Sequence, residues 1–163
     1  MSELQISTHY LPGLVGRVTE LHARYYSQHW GFGPFFEAKV ATELSDYVRT
    51  YDQDRDCLFS IVVNSTIEAS LAIDRSSETE NIAHLRWFIV SEHLRGQGAG
   101  NKLLSAAMEF SRFRNYTGVY LWTFKGLKSA KHLYEKNGFK LTEEKEGAQW
   151  GTSVTEQKYY AAL

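Results

Sequence analysis

Glycine occupies every second position in Arg95-Gly96-Gln97-Gly98-Ala99-Gly100, which lies between a strand-like run at residues 85–90 and an amphipathic run at residues 102–114. Because three of these residues lack a Cβ atom, consecutive backbone N–H groups can converge there on an anion, and the following helix adds the positive end of its dipole. These donors suit a pyrophosphate group. The same pattern occurs in ordinary strand-to-helix turns, so this segment alone leaves both interpretations open.

The spacing of apolar residues predicts the elements that must position this segment. Helical spacing predicts helices at residues 11–25 and 36–48, with a break at residues 31–34 between them. Strand-like runs at residues 58–63 and 67–73, joined by Asn64-Ser65-Thr66, predict a hairpin. The later predicted elements are strands at 82–90, 118–124, 139–144 and 154–160, and helices at 102–114 and 127–134. This order predicts one α/β domain over residues 1–163 with a mixed sheet.

The composition limits the classes of partner. The 163 residues suffice for one domain, and 18 basic against 19 acidic residues give a net charge of -1. This charge provides no electrostatic reason to expect nucleic acid or an anionic membrane as a partner. The first residues lack the cationic and apolar runs of a signal peptide, and no run approaches the ~20 apolar residues of a membrane helix. The single cysteine, Cys57, lies in an apolar strand pattern where packing is its expected role. We therefore predict a cytoplasmic protein.

A second motif, Leu133-Tyr134-Glu135-Lys136-Asn137-Gly138-Phe139, ends the last predicted helix. The order of elements and motifs resembles the GNAT superfamily of N-acetyltransferases. It consists of a strand, Arg-x-x-Gly-x-Gly, a helix, a second strand, and a helix that ends in Leu-Tyr-x-x-x-Gly-Phe. The resemblance covers residues 82–139 and extends to the preceding hairpin and the last two strands. His84-Leu85-Arg86-Trp87-Phe88 further resembles a subset that includes GNAT domains fused to winged-helix regulators. The resemblance implies a mixed, mostly antiparallel sheet of about six to seven strands flanked by about four helices.

The resemblance also implies acetyl-coenzyme A as the cofactor and assigns residues to it. The residues that match the pyrophosphate loop are Leu94, Arg95, Gly96, Gln97, Gly98, Ala99 and Gly100. Those that match the strand along the pantetheine arm are Phe88, Ile89 and Val90. A backbone N–H group of Phe88 or Val90 is implied to polarise the thioester carbonyl. Many relatives have Asn where this chain has Leu127, and Lys125, Lys128 or Ser129 could replace that contact.

Two residues are candidates for proton transfer. Tyr134 matches the general acid of the family, aimed at the departing sulfur, although an aromatic residue at this helical position can also serve the core. The region where relatives place a basic carboxylate offers His84, whose imidazole can titrate near neutrality. Strand alternation predicts that His84 shares a face with Arg86, Phe88 and Val90. A hydrogen-bonded structural role is the alternative for His84, and Glu80 and Glu37 are further candidates for the base.

We therefore expect an acetyl-coenzyme A dependent N-acetyltransferase in which a primary amine, preferably of a small molecule, attacks the thioester directly in a ternary complex. The alternatives are a protein lysine or N-terminal acetyltransferase, and a non-catalytic module that binds acyl-coenzyme A as a sensor. Trp122, Gln149 and Trp150 are candidates for the wall of an acceptor pocket, although Trp87 and Trp122 could instead be core rings. No metal site is expected. The final strand, if it has an exposed edge, could pair with a second copy in a homodimer.

Overall fold

The computed structural model describes residues 3–75 and 81–163, and its helices and strands follow the apolar spacing closely. Four α-helices and seven strands occur within these residues. In chain order they are β1 (Ile6–Ser7), α1 (Leu14–Trp30), α2 (Pro34–Arg49), β2 (Cys57–Val63), β3 (Thr66–Asp74), β4 (Ile82–Val90), α3 (Ala99–Phe113), β5 (Gly118–Phe124), α4 (Lys128–Lys136), β6 (Lys140–Gly147) and β7 (Val154–Ala162). None of the described helices combines the length and apolar character that crossing a membrane requires.

Local backbone chemistry explains several of these boundaries. Gly31 ends α1 in the left-handed region at φ 69°, and Pro34 begins α2, where a missing N–H group costs nothing. Asn64 and Ser65 both have positive φ, 50° and 64°, as the tight turn of the β2–β3 hairpin requires. These signals are local, and the predictions based on them are confirmed.

The seven strands form one sheet in the order β1-β2-β3-β4-β5-β7-β6, in which only β4 and β5 pair in parallel. One face packs under α3 and α4, with Leu103, Leu104 and Tyr134 in its core. The other face packs under α1 and α2, with Val18, Leu44 and Trp87 in its core. The predicted mixed, mostly antiparallel sheet with helices on it is confirmed.

Strands β4 and β5 lie side by side for only a short distance. Their parallel pairs run from Ile82↔Gly118 to His84↔Tyr120, although both strands continue beyond these residues. The two central strands therefore separate in the middle of the sheet, and a cavity opens between them.

A β-bulge in β4 changes which side chains face which helices. Ala72 of β3 pairs with Arg86, but Ser70 pairs with Ile89, so β4 has one residue more than its partner in this interval. Trp87 lies in the bulge at φ 49°. Before the bulge, the Arg86 side chain faces α2. After the bulge, Val90 pairs with Ala69 and packs on the opposite face of the sheet, under α3. The prediction that strand alternation places His84 with Phe88 and Val90 is therefore wrong.

The expected dimer edge is also corrected by the topology. Strand β7 lies between β5 and β6 and pairs with both, so it has no free edge. The strand at this side of the sheet is β6, whose side chains are almost all exposed and which carries Lys140, Glu143, Glu144, Lys145 and Glu146. A charged edge of this kind discourages pairing with a second copy.

Candidate active site

The glycine segment forms a tight loop at the N-terminus of α3. Gly96 and Gly98 have φ 76° and 79°, in the left-handed region that only glycine adopts without strain. The first backbone bond of the helix runs from Lys102 N to Gly98 O at 3.0 Å. The N–H groups of residues 99–101 consequently have no acceptor within the helix and point out of its positive end. This arrangement can hold a phosphate group.

Close packing keeps the base of this loop against the sheet. A Cβ atom at Gly100 would lie 3.2 Å from Leu133 Cδ2 and 3.5 Å from Phe88 Cζ, so the approach of α3 to β4 needs a glycine there. Arg95 donates from Nε to the Val90 carbonyl at 3.3 Å, and its guanidinium lies 4.4 Å from the Tyr25 ring. Arg95 thereby fixes the loop between β4 and α1 and leaves a positive charge beside it.

The cavity between β4 and β5 has a volume of about 980 Å³. The residues predicted to contact the cofactor that line it are Phe88, Ile89, Val90, Leu94, Arg95, Gly96, Gly98, Ala99 and Gly100. Gln97 does not line it. The Gln97 backbone N–H donates to Leu94 O at 3.3 Å, and its side-chain amide donates to His93 O at 2.8 Å. Gln97 therefore stabilises the turn through these two hydrogen bonds.

Tyr134 lines the same cavity near the end of α4. The helix ends in a Schellman motif, in which Phe139 N donates to Tyr134 O at 3.1 Å and Gly138 N donates to Glu135 O at 3.2 Å. The Tyr134 ring lies 6.2 Å from Phe88 and 5.8 Å from Phe139. This packing fixes the direction of the phenol while leaving its residue at the cavity wall.

The environment of Tyr134 keeps its hydroxyl protonated. Burial raises the pKa of Tyr134 above the usual value of 10, and the neighbouring Tyr26 and Tyr159 phenols raise it further. The side chain is 6% exposed. Tyr134 is thus a hydrogen-bond donor at every physiological pH. A thiolate placed beside it would experience the same desolvation, so pKa values in water do not decide how far the proton moves between them.

His84 lies at the point where β4 and β5 separate, and it also lines the cavity. Its ring stacks on Tyr120 with 4.3 Å between the centroids. Burial lowers the pKa of His84 to about 3, and the charges of Arg86 and Lys158 contribute. The imidazole is therefore neutral at physiological pH. It can accept a hydrogen bond, but it does not titrate near neutrality as the sequence led us to expect.

Of the other two candidates for the base, Glu37 alone lies among the described residues. Glu37 is exposed on the first turn of α2 and does not line it, and Glu80 lies outside the described residues. Among the described lining residues, the single carboxylate belongs to Glu43 of α2. Glu43 is 3.3 Å from Arg86 and 3.2 Å from Lys39. Sequence analysis missed Glu43 because nothing in the local pattern indicates an ion pair between α2 and β4.

Aromatic rings make up much of the cavity lining. Trp122 and Trp150 line the cavity, and so does Trp87, which is largely buried and packs on Tyr47 at 5.2 Å. Gln149 also lines the cavity and is held by the buried carboxylate of Glu156, which accepts bonds from its side-chain and backbone nitrogens at 2.8 and 3.0 Å. Residue 127, a leucine here, lines the cavity at the start of α4 and makes no side-chain capping bond.

Known proteins are similar to this chain in sequence. Residues 16–139 match the model of the acetyltransferase (GNAT) family. The chain is 27% identical over 125 residues to human N-acetyltransferase 8, across 74% of this chain and 55% of that protein. It spans between 48% and 63% of the length of the curated relatives that it matches.

Solved structures agree in fold. A GNAT family acetyltransferase from Staphylococcus aureus Mu50 superposes with a TM-score of 0.77 at 18% identity, across 99% of both chains. The PaiA N-acetyltransferase of Thermoplasma acidophilum, solved in complex with coenzyme A, superposes with a TM-score of 0.72 at 14% identity, across 99% of this chain and 100% of that chain.

Proposed function

This chain belongs to the acetyltransferase (GNAT) family, and from that premise we propose that it transfers an acetyl group from acetyl-coenzyme A to the primary amine of a small molecule. The observation that carries the proposal is the meeting of three features at one cavity. They are the glycine loop at the start of α3, the separated ends of β4 and β5, and the Tyr134 phenol. The coenzyme A complex of the Thermoplasma acidophilum protein, which has the same fold, supports the choice of cofactor.

The residues present fit that cofactor. The N–H groups at the start of α3 and the nearby Arg95 guanidinium suit a pyrophosphate, and a Cβ atom at Gly100 would crowd the wall formed by Phe88 and Leu133. We propose that residues 88–90 offer backbone groups to the pantetheine arm. When bound, acetyl-coenzyme A supplies a thioester whose carbonyl carbon is the electrophile. The residues around the thioester then have two tasks. The first is to stabilise charge on the carbonyl oxygen, and the second is to help the thiol leave.

We assign the second task to Tyr134. With acetyl-coenzyme A bound, its protonated hydroxyl would donate a hydrogen bond to the sulfur and so stabilise the leaving thiolate while the amine nitrogen bonds to the carbonyl carbon. The neutral His84 imidazole would accept a hydrogen bond from the attacking amine. An imidazole with a pKa of about 3 does not retain a proton at neutral pH, so the proton that the amine loses would pass to solvent, and the thiolate would take one proton from solvent to be released as the thiol. The acetyl group thus moves in one ternary complex with no covalent enzyme intermediate.

The charges around the cavity favour a small acceptor over a basic peptide tail. Four Lys or Arg side chains and one carboxylate line it among the described residues, and many of the other lining residues are aromatic. A polybasic segment would meet repulsion there, whereas a compact amine with an apolar body would find complementary walls.

An acetyl-transfer assay tests the proposal. The purified protein is mixed with acetyl-coenzyme A and a panel of small primary amines beside lysine-bearing and N-terminal peptides, and the released thiol is followed. We expect turnover with a subset of small amines. Faster turnover with peptides would instead favour the protein acetyltransferase. Tight cofactor binding without turnover on any amine would support a sensor module.

Replacing the single cysteine tests the absence of a covalent intermediate. Cys57 is buried, and desolvation raises the pKa of its thiol to about 11, so it is a poor nucleophile at neutral pH. We expect Cys57→Ala to keep turnover within about twofold of the wild type while losing roughly 1 kcal/mol of unfolding free energy. Intact mass spectrometry of the wild type after exposure to acetyl-coenzyme A alone provides the direct check. An acetylated enzyme that transfers its group to amine would contradict direct attack.

The depressed pKa of His84 predicts a characteristic pH dependence. We expect His84→Gln to lower kcat/KM without changing the shape of its profile between pH 5.5 and 8, because a group with a pKa of about 3 does not titrate there. The fold keeps His84 neutral, whereas the unfolded chain lets it bind a proton below its unfolded pKa of 6.5. The free energy of unfolding is therefore undiminished by this group above pH 6.5 and decreases as the pH falls toward 3. Melting curves at pH 4.5 and 7.5 should show less acid destabilisation in the variant. If the wild-type profile of kcat/KM has an acidic limb near pH 6.5 that is absent in His84→Gln, His84 is a base that titrates near neutrality and this prediction is wrong.

A further inference from the structure

A fully buried serine lies next to the bulge of β4. Ser70 of β3 is 0% exposed and donates from Oγ to the Trp87 carbonyl oxygen at 3.0 Å. Resting on the proposed function, we propose that Ser70 is a positioning residue, which aims the Phe88 N–H group at the acetyl carbonyl oxygen through this one hydrogen bond.

The geometry of a single peptide group carries the argument. The Trp87 carbonyl and the Phe88 N–H are two ends of one peptide bond, which is planar and trans, so they point in opposite directions. Ser70 holds the oxygen on the side of β3. The Phe88 N–H therefore points away from β3, toward the side of β4 from which β5 has separated after the His84↔Tyr120 pair.

The bulge needs such a support. Trp87 has φ 49°, a conformation that costs an aromatic residue free energy and persists only where its surroundings hold it. The Trp87 ring is fixed by Tyr47 at 5.2 Å and by the Arg86 guanidinium at 4.2 Å. These contacts fix the side chain, whereas the Ser70 hydroxyl fixes the peptide that follows it. Without the hydroxyl, the peptide loses the bond that sets its tilt.

The chain offers a matched control directly across the hairpin. Ser60 of β2 pairs with Ser70, is also 0% exposed, and its Oγ has no hydrogen-bond partner among the described residues. Ser60→Ala therefore removes an equally buried hydroxyl from the neighbouring strand without removing a bond to the bulge.

The test compares Ser70→Ala and Ser60→Ala with the wild type in two measurements. Calorimetric titration with coenzyme A, which has no acetyl carbonyl, should give unchanged affinity in all three proteins. Infrared difference spectra of bound acetyl-coenzyme A labelled with ¹³C at the carbonyl should show a shift to lower frequency in the wild type and Ser60→Ala, and a smaller shift in Ser70→Ala. We expect kcat of Ser70→Ala to fall by about tenfold, less than the loss of a whole donor, with KM for acetyl-coenzyme A nearly constant.

The outcomes separate the two proposals. A wild type that neither shifts the carbonyl band nor transfers acetyl would overturn the proposed function. A wild type that does both, with Ser70→Ala giving the same band and the same kcat, would overturn the role of Ser70 alone. If Ser70→Ala does not fold, Ser70→Cys keeps a weak donor at the same place. That variant should give an intermediate band, and a wild-type band there would count against the proposal.

Discussion

Tyr134→Phe should lower turnover by roughly 10²-fold or more while leaving the fold and the affinity for coenzyme A close to those of the wild type. The substitution keeps the ring, and the ring makes the contacts to Phe88, Phe139 and Tyr159 that position the end of α4. It removes only the hydroxyl, which stays protonated because burial raises its pKa. The expected loss therefore belongs to the step in which the thiol leaves.

A neighbouring tyrosine provides the control for this substitution. Tyr159 lies 6.0 Å from Tyr134, is 1% exposed, and its hydroxyl has no hydrogen-bond partner among the described residues. Tyr159→Phe should leave turnover unchanged and hold or raise the melting temperature, since an unpaired buried hydroxyl costs stability. Turnover with an identified amine, calorimetric titration and melting curves on all three proteins make the comparison. Wild-type turnover in Tyr134→Phe would show that the thiol leaves without this phenol, and weaker coenzyme A binding would make the hydroxyl a binding group.

The parts of the fold that depend on local chemistry could be predicted from the sequence. Asn64-Ser65-Thr66 predicts a hairpin because turn-forming residues stand between two strand-like runs, and Asn137-Gly138 predicts the end of α4 because Gly138 can adopt φ 88°. The glycine loop was located for the same reason. In each case the residue that gives the signal is also the residue that forms the predicted feature, so no distant contact has to be known.

The bulge in β4 could not be predicted, because no local signal marks it. Trp87 has a side chain that favours extended strand, yet it lies at φ 49°. Its contacts are with a serine 17 residues earlier in the chain and with an aromatic ring of α2. One extra residue in β4 then reverses the alternation of side chains, so the faces predicted for Phe88 and Val90 were wrong.

The remaining wrong predictions concern features that depend on pairing between strands distant in the sequence. The last strand of a chain often forms an edge, but β7 returns between β5 and β6, and this order depends on pairing that residue spacing does not encode. The expectation for His84 failed for a related reason. Burial is the main cause of its lowered pKa, followed by the charges of Arg86 and Lys158, and the burial depends on neighbours such as Tyr120 that come from other strands.

Gly98→Val should weaken binding of acetyl-coenzyme A by about tenfold or more, equivalent to about 1.4 kcal/mol of binding free energy. Gly98 caps the N-terminus of α3 at φ 79°, a conformation that a β-branched residue adopts only with strain. No atom lies within 4 Å of the position of an added Cβ, so crowding is not the cause. The strain instead turns the loop, and the N–H groups of residues 99–101 no longer converge on one phosphate.

The corresponding glycine of α1 separates this effect from a general loss of stability. Gly13 caps α1 at φ 90°, also has open space around an added Cβ, and does not line the cavity. Gly13→Val therefore imposes a similar strain at a similar place on another helix. Both variants should melt at lower temperature, but calorimetric titration should find weaker cofactor binding only in Gly98→Val. Equal affinity in the two folded variants would mean that the loop does not hold the pyrophosphate, since the strain would then have moved no group that the cofactor contacts.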